Sequence, residues 1–252
     1  MLQLSVLRCE GSLIMSSIAH NLQVVHDAIA LATHRYGRNP TEIALLAVSK
    51  TFSAQDVVQA LQAGQKSFGE NYLQEALDKM LQVETLRMES LCATIPEWHF
   101  IGPIQSNKTR PIAEHFSWVH SVDREKIAHR LSEQRPIALG DLQICLQVNI
   151  SGEASKSGVH PDQLLALAQQ VHALPRIKLR GLMAVPEASD DTQVQRAAFH
   201  RLAQLAQTLI QHGIALDTLS MGMSGDMEAA IAEGSTMLRI GSAIFGKRQY
   251  AV

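Results

Sequence analysis

A lysine at the end of the first strongly apolar run of the chain stands where covalent chemistry is possible. Lys50 follows Leu46 and Val48 at two-residue steps in the stretch EIALLAVSK. Side chains two residues apart on a strand share a face, so we expect Lys50 on the face of Leu46 and Val48. Partial burial there lowers the pKa of a lysine and favours the neutral amine, which can attack an aldehyde and form a Schiff base. The alternative is a lysine that extends its charged end to solvent from a strand end.

Serines and glycines near the end of the chain could hold a phosphate group. The stretch LSMGMSGDMEAAIAEGSTMLRIGSAIFG carries Ser224, Gly241 and Ser242 at the ends of the last two apolar runs. Backbone N–H groups at such positions bind phosphate dianions, with help from hydroxyls and the start of a helix. The alternative is that Gly222, Gly225 and Gly241 are only turn glycines. A reactive lysine and a phosphate site together indicate a cofactor that carries both an aldehyde and a phosphate.

Arg239 precedes Gly241 by two residues and needs an acceptor if it points into the same site. A pyridine ring nitrogen is one such acceptor. An arginine there disfavours protonation of the nitrogen and leaves the ring a weaker electron sink. An ion pair with Glu228 or Glu233 is an equally open interpretation.

The elements that must position these residues alternate regularly along the chain. Apolar residues at three- and four-residue steps predict an amphipathic helix over Ser17–Tyr36. The strand before Lys50 follows, and then a helix with Ser53 as N-cap and Asp56 in its first turn. Strand and helix then alternate to the end of the chain. The eight strand segments read IALLAVSK, KSFGENY, EWHFIGP, WVHSVD, LQICLQVNIS, LRGLMAVP, TLSMGMS and MLRIGSAIFG.

Apolar strands separated by helices are typical of a parallel sheet covered by helices. Eight units in 252 residues predict a single-domain (β/α)8 barrel, the TIM barrel, formed by residues 15–252. Residues 1–14 are interpreted as a dispensable leader with Met15 opening the folded chain. Arg8 and Glu10 interrupt their apolar run, which argues against a secretory signal.

In a TIM barrel the active site lies at the C-terminal ends of the strands, so the polar residues that end each apolar run are the candidates. We interpret His99 as a hydrogen-bonded core histidine rather than a catalyst, and Lys156 as a loop cation that could guard the site. The strand-end candidates are Lys50, Glu70, Asn71, His99, Ser121, Asp123, Asn149, Met183, Ser220, Ser224, Arg239, Gly241 and Ser242.

The composition favours a small-molecule partner over nucleic acid or a membrane. The net charge is −2, Lys and Arg are scattered, and 46% of residues are hydrophobic. Cys9, Cys92 and Cys145 are far apart and lack metal-ligand spacing, so neither a disulfide framework nor a metal site is expected and a reducing cytoplasm fits. No stretch approaches the length of a bilayer span.

Several motifs resemble those of the family of pyridoxal phosphate homeostasis proteins, across about Met15 to Tyr250. The matching stretches are LLAVSKT, FGENYLQEALDK, EWHFIGPIQSNK, VNISGEASKSG, RGLMAVP, LSMGMSGDMEAAIAEGSTMLRIGSAIFG and RQY. The resemblance implies a fold-type III barrel like the N-terminal domain of alanine racemase, standing alone and binding pyridoxal 5'-phosphate (PLP).

The resemblance also implies roles for individual residues. Lys50 would form the Schiff base with PLP, and Arg239 would face the pyridine nitrogen. Ser224, Gly241 and Ser242 would bind the phosphate. The resemblance also implies that Asn71 and Met223 lie near the cofactor.

The implied function is cytoplasmic homeostasis of PLP, or vitamin B6, with indirect effects on amino-acid and keto-acid balance and without robust catalysis. PLP-dependent apo-enzymes are the expected recipients, and a monomer is expected. The alternative is a PLP-dependent amino-acid racemase or decarboxylase. A racemase needs a second acid or base on the opposite face of the carbanion. In alanine racemase an additional domain supplies a tyrosine for this role, and Tyr36, Tyr72 and Tyr250 do not lie in such a domain. If PLP does not bind, a barrel enzyme acting on a sugar phosphate becomes the leading interpretation.

Overall fold

The computed structural model describes residues 17–152 and 157–246. The interpretation of residues 1–14 as a leader, and those that involve Met15, Lys156 and Tyr250, fall outside the described residues.

Eight parallel strands close into a barrel in sequence order, each hydrogen-bonded to its neighbours and β8 to β1. This confirms the predicted (β/α)8 fold. The strands are β1 (Ala44–Val48), β2 (Ser67–Glu70), β3 (Glu97–Phe100), β4 (Trp118–Val122), β5 (Leu142–Gln147), β6 (Ile177–Met183), β7 (Thr218–Ser220) and β8 (Met237–Ile240).

One described helix precedes β1, the others follow the strands, and together they cover the outside of the barrel. They are α1 (Ser17–Arg35), α2 (Ala54–Gln62), α3 (Leu73–Glu89), α4 (Thr109–His115), α5 (Glu125–Gln134), α6 (Pro161–His172), α7 (Thr192–Gln211), α8 (Met227–Ala232) and α9 (Ser242–Phe245). The expected capping of α2 is confirmed, since the Ser53 side chain accepts from Asp56 N–H while the Asp56 carboxylate accepts from Ser53 N–H. Helix α4 begins at Thr109, directly after a short 3-10 turn over Ser106–Lys108.

Two apolar layers share the core. The larger layer packs the outward faces of the strands, such as Leu45 and Ala47, against the helices. A smaller cluster contains Leu46 together with side chains from four other strands, which only the inside of a closed barrel can bring together. Leu46 therefore points inward, which decides between the two directions, barrel interior or helix layer, that the two-residue spacing left open for the shared face of Leu46, Val48 and Lys50. The members of this interior cluster are Leu46, Trp118, Cys145, Met183 and Met237, with Ile101 packed against them.

The helices were compared with the requirements for crossing a membrane. Across residues 17–152 and 157–246, no helix combines the length and the apolar character that a membrane crossing requires.

Candidate functional site

A cavity of about 400 Å³ opens at the C-terminal ends of the strands. Its volume lies in the range of small-molecule sites, and its place is the one at which TIM barrels carry their active sites. All seven residues that the sequence singled out for the cofactor line it. The full lining is Val48, Lys50, Asn71, Ile101, Met183, Val185, Met223, Ser224, Gly225, Arg239, Gly241 and Ser242.

The backbone on both sides of Lys50 is fixed by an ionic cluster in which Lys79 and Glu70 are buried and Glu75 is partly exposed. Lys79 on α3 donates to Ser49 O at 2.7 Å, to Glu70 Oε1 at 2.8 Å and to Glu75 Oε1 at 2.9 Å. Thr51 N–H donates to the same Glu75 oxygen at 2.6 Å, and Thr51 has φ of 68°, in the left-handed region. The cluster therefore holds the turn that carries Lys50 out of β1 and into the cavity wall.

Glu70 belongs to this cluster and not to the cavity lining. Its side chain is fully buried, and burial raises its pKa above the ordinary value despite the opposing effect of Lys79. Ser49 Oγ donates to Glu70 Oε1 at 2.7 Å, whereas Glu70 Oε2 has no hydrogen-bond partner within residues 17–152 and 157–246. Sequence reasoning missed Lys79, although its place between Ala76 and Val83 on the buried face of α3 is a readable signal.

Arg239 is buried beside the cavity and is held by uncharged acceptors. Nη1 donates to the backbone carbonyl of Ser220 and, at 2.8 Å, to its hydroxyl, and Nη2 donates to Ala184 O at 2.8 Å. Burial lowers the pKa of Arg239 to about 10. A guanidinium has five N–H groups, and three of those on Arg239 donate to protein acceptors. The other two, on Nε and Nη2, have no acceptor among the described residues.

The structure contradicts the interpretation that pairs Arg239 with Glu228 or Glu233. Glu228 forms an ion pair with Arg35 on α1. Glu233 binds Arg196 at 2.7 Å and His200 at 2.9 Å, both on α7. The sequence could not separate these partners because all of them lie on the outer helices, whereas Arg239 points inward.

The serine and glycine side of the cavity is built from close backbone contacts. A Cβ added to Gly241 would lie 3.1 Å from Val48 O, so β8 passes tightly over the end of β1 at this point. Ser242 begins the short helix α9 directly after Gly241. Gly222 has φ of 96° and needs its glycine for conformation, whereas Gly225 has neither a left-handed φ nor a crowded Cβ position. The turn-glycine interpretation therefore holds for Gly222, whereas Gly241 lies in close contact with the end of β1.

The remaining strand-end candidates divide between cavity and core. Met183 lines the cavity. His99 and Ser220 lie in the barrel interior below it, and Ser121 donates to Gly102 O at 2.5 Å. Asp123 pairs with Arg124 at 2.7 Å, outside the cavity lining. Asn149 is likewise not among the lining residues; its Oδ1 accepts from Gly152 N–H.

A larger depression of about 630 Å³ lies at the opposite end of the barrel. Both arginines in its lining already have partners: Arg180 binds both carboxylate oxygens of Asp217 at about 3 Å, and Arg135 donates to backbone carbonyls. None of the residues predicted for the cofactor lines it. The N-terminal face of a TIM barrel is a place of stability rather than chemistry, so the smaller cavity is the candidate site.

The sequence profile of the alanine racemase N-terminal domain matches residues 15–249. Two bacterial relatives are named pyridoxal phosphate homeostasis protein. The one from Pseudomonas aeruginosa is 57% identical over 94% of this chain and 98% of its own length. The one from Escherichia coli K12 is 51% identical over 94% of this chain and 99% of its own length.

Solved structures agree with this relationship. PipY of Synechococcus elongatus, solved with PLP bound, superposes with a TM-score of 0.76 at 33% identity, over 91% of this chain and all of that one. Alanine racemase from Corynebacterium glutamicum superposes with a TM-score of 0.64 at 19% identity, over 94% of this chain and 62% of that one, and shows the shared fold alone. With a profile match across nearly its whole length and close relatives that agree in name, the chain belongs to the family of pyridoxal phosphate homeostasis proteins, built on the fold of the alanine racemase N-terminal domain.

Proposed function

We propose that this protein binds PLP as a Schiff base on Lys50 and takes part in the intracellular homeostasis of PLP. One observation carries the proposal. Lys50, a buried arginine and a serine and glycine backbone line a single cavity at the C-terminal mouth of the barrel. This set matches the three polar features of PLP, which are an aldehyde, a pyridine nitrogen and a phosphate.

The donors available around the cavity fit this cofactor. Gly241 lets the backbone approach closely, and Ser224 and Ser242 add hydroxyls for a phosphate. Arg239 has two N–H groups without an acceptor among the described residues, so it can donate to a ring nitrogen. Asn71 and Met223 complete the walls around the ring. When bound, PLP supplies an electrophilic carbon and a ring that can accept electrons.

Lys50 would hold PLP covalently and reversibly. Its neutral amine would supply the electron pair for the bond to the aldehyde carbon, and the aldehyde oxygen would leave with the two amine protons as water. Hydrolysis returns the amine and the aldehyde, so the link suits storage and release. The ionic cluster around Lys79 keeps the Lys50 backbone fixed throughout.

A carrier role is supported over the alternative, an amino-acid racemase or decarboxylase of fold type III. Racemisation needs a second proton donor on the opposite face of the reacting carbon. Lys50 and Arg239 are the titratable groups in the described cavity lining. Tyr36 donates to Glu228 on the outer surface, and Tyr72 is exposed and outside the lining. An arginine at the ring nitrogen also leaves the ring a poorer electron sink, which further disfavours carbanion chemistry.

The cellular role follows from reversible binding. A cytoplasmic, monomeric protein that takes up and releases PLP would buffer its free concentration and could supply PLP-dependent apo-enzymes. Effects on amino-acid and keto-acid balance would then be indirect, through those enzymes. The names of the relatives and the PLP in the PipY structure support this proposal.

The decisive experiment is absorbance spectroscopy of the purified protein with PLP, followed by borohydride reduction and peptide mapping. We expect a visible band and a reduced pyridoxyl group on Lys50. Both are lost in Lys50→Ala and kept in the matched control Lys126→Ala, which changes a lysine on the outer helix α5. An adduct found only at other lysines would exclude the assignment.

Two further measurements separate a carrier from an enzyme. Racemase or decarboxylase turnover at ordinary enzymatic rates, abolished by Lys50→Ala, would overturn the carrier proposal. Transfer of PLP to an apo-enzyme faster than its spontaneous release would identify an active donor, whereas equal rates would identify a passive buffer.

A further inference from the structure

A chain of hydrogen bonds runs through the barrel interior from Arg239 to the opposite end. Arg239 Nη1 and Ser220 Oγ lie 2.8 Å apart, and Ser220 Oγ and His120 Nδ1 lie 2.8 Å apart. His120 Nε2 and His99 Nδ1 are 2.9 Å apart, and His99 Nε2 and Glu97 Oε2 are 3.0 Å apart. The four inner residues are buried, whereas about half of the Glu97 side chain is exposed, at 46%.

The two ends of the chain determine the direction of every hydrogen bond in it. A guanidinium can only donate, and an ionised carboxylate can only accept. The hydrogen bond from His99 holds the pKa of Glu97 below its ordinary value, so this carboxylate is ionised near neutral pH. His99 therefore donates from Nε2, and its Nδ1 accepts from His120 Nε2–H. His120 Nδ1 in turn accepts from the Ser220 hydroxyl, which leaves a Ser220 lone pair for Arg239.

Neutral histidines are required for this pattern, and the surroundings favour them. Burial lowers the pKa of His99 and, more strongly, that of His120, where His99 and Arg239 add to the effect. The His99 ring stacks on Trp118 with an interplanar angle of 5°, which fixes its orientation. Each ring nitrogen of the two histidines then has one partner and one role.

We propose that Ser220 and His120 are positioning residues for Arg239, and that the chain ending on Glu97 holds its guanidinium as a fixed, charged donor toward the cofactor ring. This inference rests on the proposed function. Ser220 engages Arg239 through both its carbonyl and its hydroxyl, so rotation of Arg239 would break several bonds together. At its other end the chain links the orientation of Arg239 to the carboxylate of Glu97, at the opposite end of the barrel. Polarised in one direction, such a chain strengthens each of its bonds.

The first test needs no cofactor. Nitrogen-15 NMR of the histidine side chains in the PLP-free protein is expected to show His99 and His120 neutral between pH 6 and 8. Both rings should carry their proton on Nε2. A proton on Nδ1 of either ring, or a charged ring in this range, would overturn the direction of the chain.

The second test uses the PLP-loaded protein and PLP labelled with nitrogen-15 in the ring, whose resonance reports protonation of that nitrogen. In Ser220→Ala we expect the nitrogen to take up a proton at higher pH than in the unmodified protein. PLP should also bind about tenfold more weakly, as for one lost hydrogen bond to a charged group. The Lys50 adduct should still form. Ser220→Thr, which keeps the hydroxyl, should restore the resonance.

Two more variants distinguish positioning from general damage to the core. Glu97→Gln removes the charge at the far end of the chain without touching the cavity, and it should shift the ring resonance in the same direction. Ser121→Ala removes a buried hydroxyl that bonds Gly102 outside the chain, and it should leave the resonance unchanged. An unchanged resonance in both Ser220→Ala and Glu97→Gln would overturn the proposal.

The outcomes separate this inference from the proposed function. If the unmodified protein forms no adduct on Lys50, the proposed function fails, and the cofactor role of Arg239 fails with it. If the adduct forms but the variants leave the ring nitrogen unchanged, the proposed function stands and the positioning role fails.

Discussion

The backbone position of Lys50 depends on neighbours that are remote in sequence. Lys79 lies 30 residues from Ser49, yet its ammonium bonds the Ser49 carbonyl, and Glu75 bonds Thr51 N–H on the other side of Lys50. Lys79 and Glu70 are buried and, with the partly exposed Glu75, form an ion cluster. Because the cluster is hydrogen-bonded to the backbone of Ser49 and of Thr51, the position of the Lys50 main chain depends on it.

Replacing Lys79 with methionine should be strongly destabilising. The substitution removes the counter-ion of Glu70, which is fully buried, and a buried charge left without its partner costs about 3–5 kcal/mol. The measurement is the free energy of unfolding from urea titration at pH 7. The double variant Lys79→Met, Glu70→Gln should recover much of the lost free energy of unfolding, because it also removes the unpaired carboxylate of Glu70. Equal stabilities of the single and double variants would contradict this account.

The turn between β7 and α8 contributes Met223, Ser224 and Gly225 to the cavity lining. Gly222 has φ of 96°, and its carbonyl accepts from Arg239 N–H at 3.0 Å. A Cβ there would lie 2.5 Å from Ala230 Cβ and 2.8 Å from Leu238 Cδ2. The turn is therefore packed between a helix and a strand while it fixes the backbone of Arg239.

Gly222→Ala should lower the free energy of unfolding by about 2–4 kcal/mol, because strain at positive φ adds to overpacking. The adjacent Gly225→Ala is a matched control, since nothing lies within 4 Å of its added Cβ and its φ is outside the left-handed region. Thermal unfolding of both variants measures the difference. A Gly222→Ala protein as stable as Gly225→Ala would show that this packing does not constrain the turn.

Across the whole molecule, the closed barrel encloses a polar column in an otherwise apolar interior. His99 and His120 lie in this column, and burial depresses the pKa of both below the ordinary 6.5. As pH falls through the unfolded value, the unfolded chain takes up protons that the folded chain does not. Stability is therefore retained above about pH 6.5 and is lost as the pH decreases below it.

The free energy of unfolding should accordingly fall by roughly 2 kcal/mol in total between pH 7.5 and 5.5. Denaturant titrations at a series of pH values measure this slope. The double variant His99→Gln, His120→Gln should flatten it, whereas His26→Asn, on the exposed side of α1, should not. A stability that does not change over this pH range would contradict neutral burial of the two histidines.

The sequence by itself determined the eight strand and helix units, the shared face of Leu46, Val48 and Lys50, and the family. Two-residue and 3.6-residue periodicities are local, so they can be read without knowing the contacts. The seven residues singled out for the cofactor share one cavity because parallel strands bring their C-terminal ends to the same mouth. That these residues bind PLP stays a prediction.

Only the tertiary structure decided which polar side chains meet inside the barrel. His120 meets Ser220 across 100 positions of sequence, and Arg239 finds neutral acceptors rather than the nearby glutamates. Lys79 reaches Glu70 and Ser49 only after α3 packs on β1 and β2. Such contacts depend on closure of the barrel and on the inward or outward direction of each side chain. Burial then sets the protonation of these groups, because the barrel interior disfavours every charge that lacks a partner.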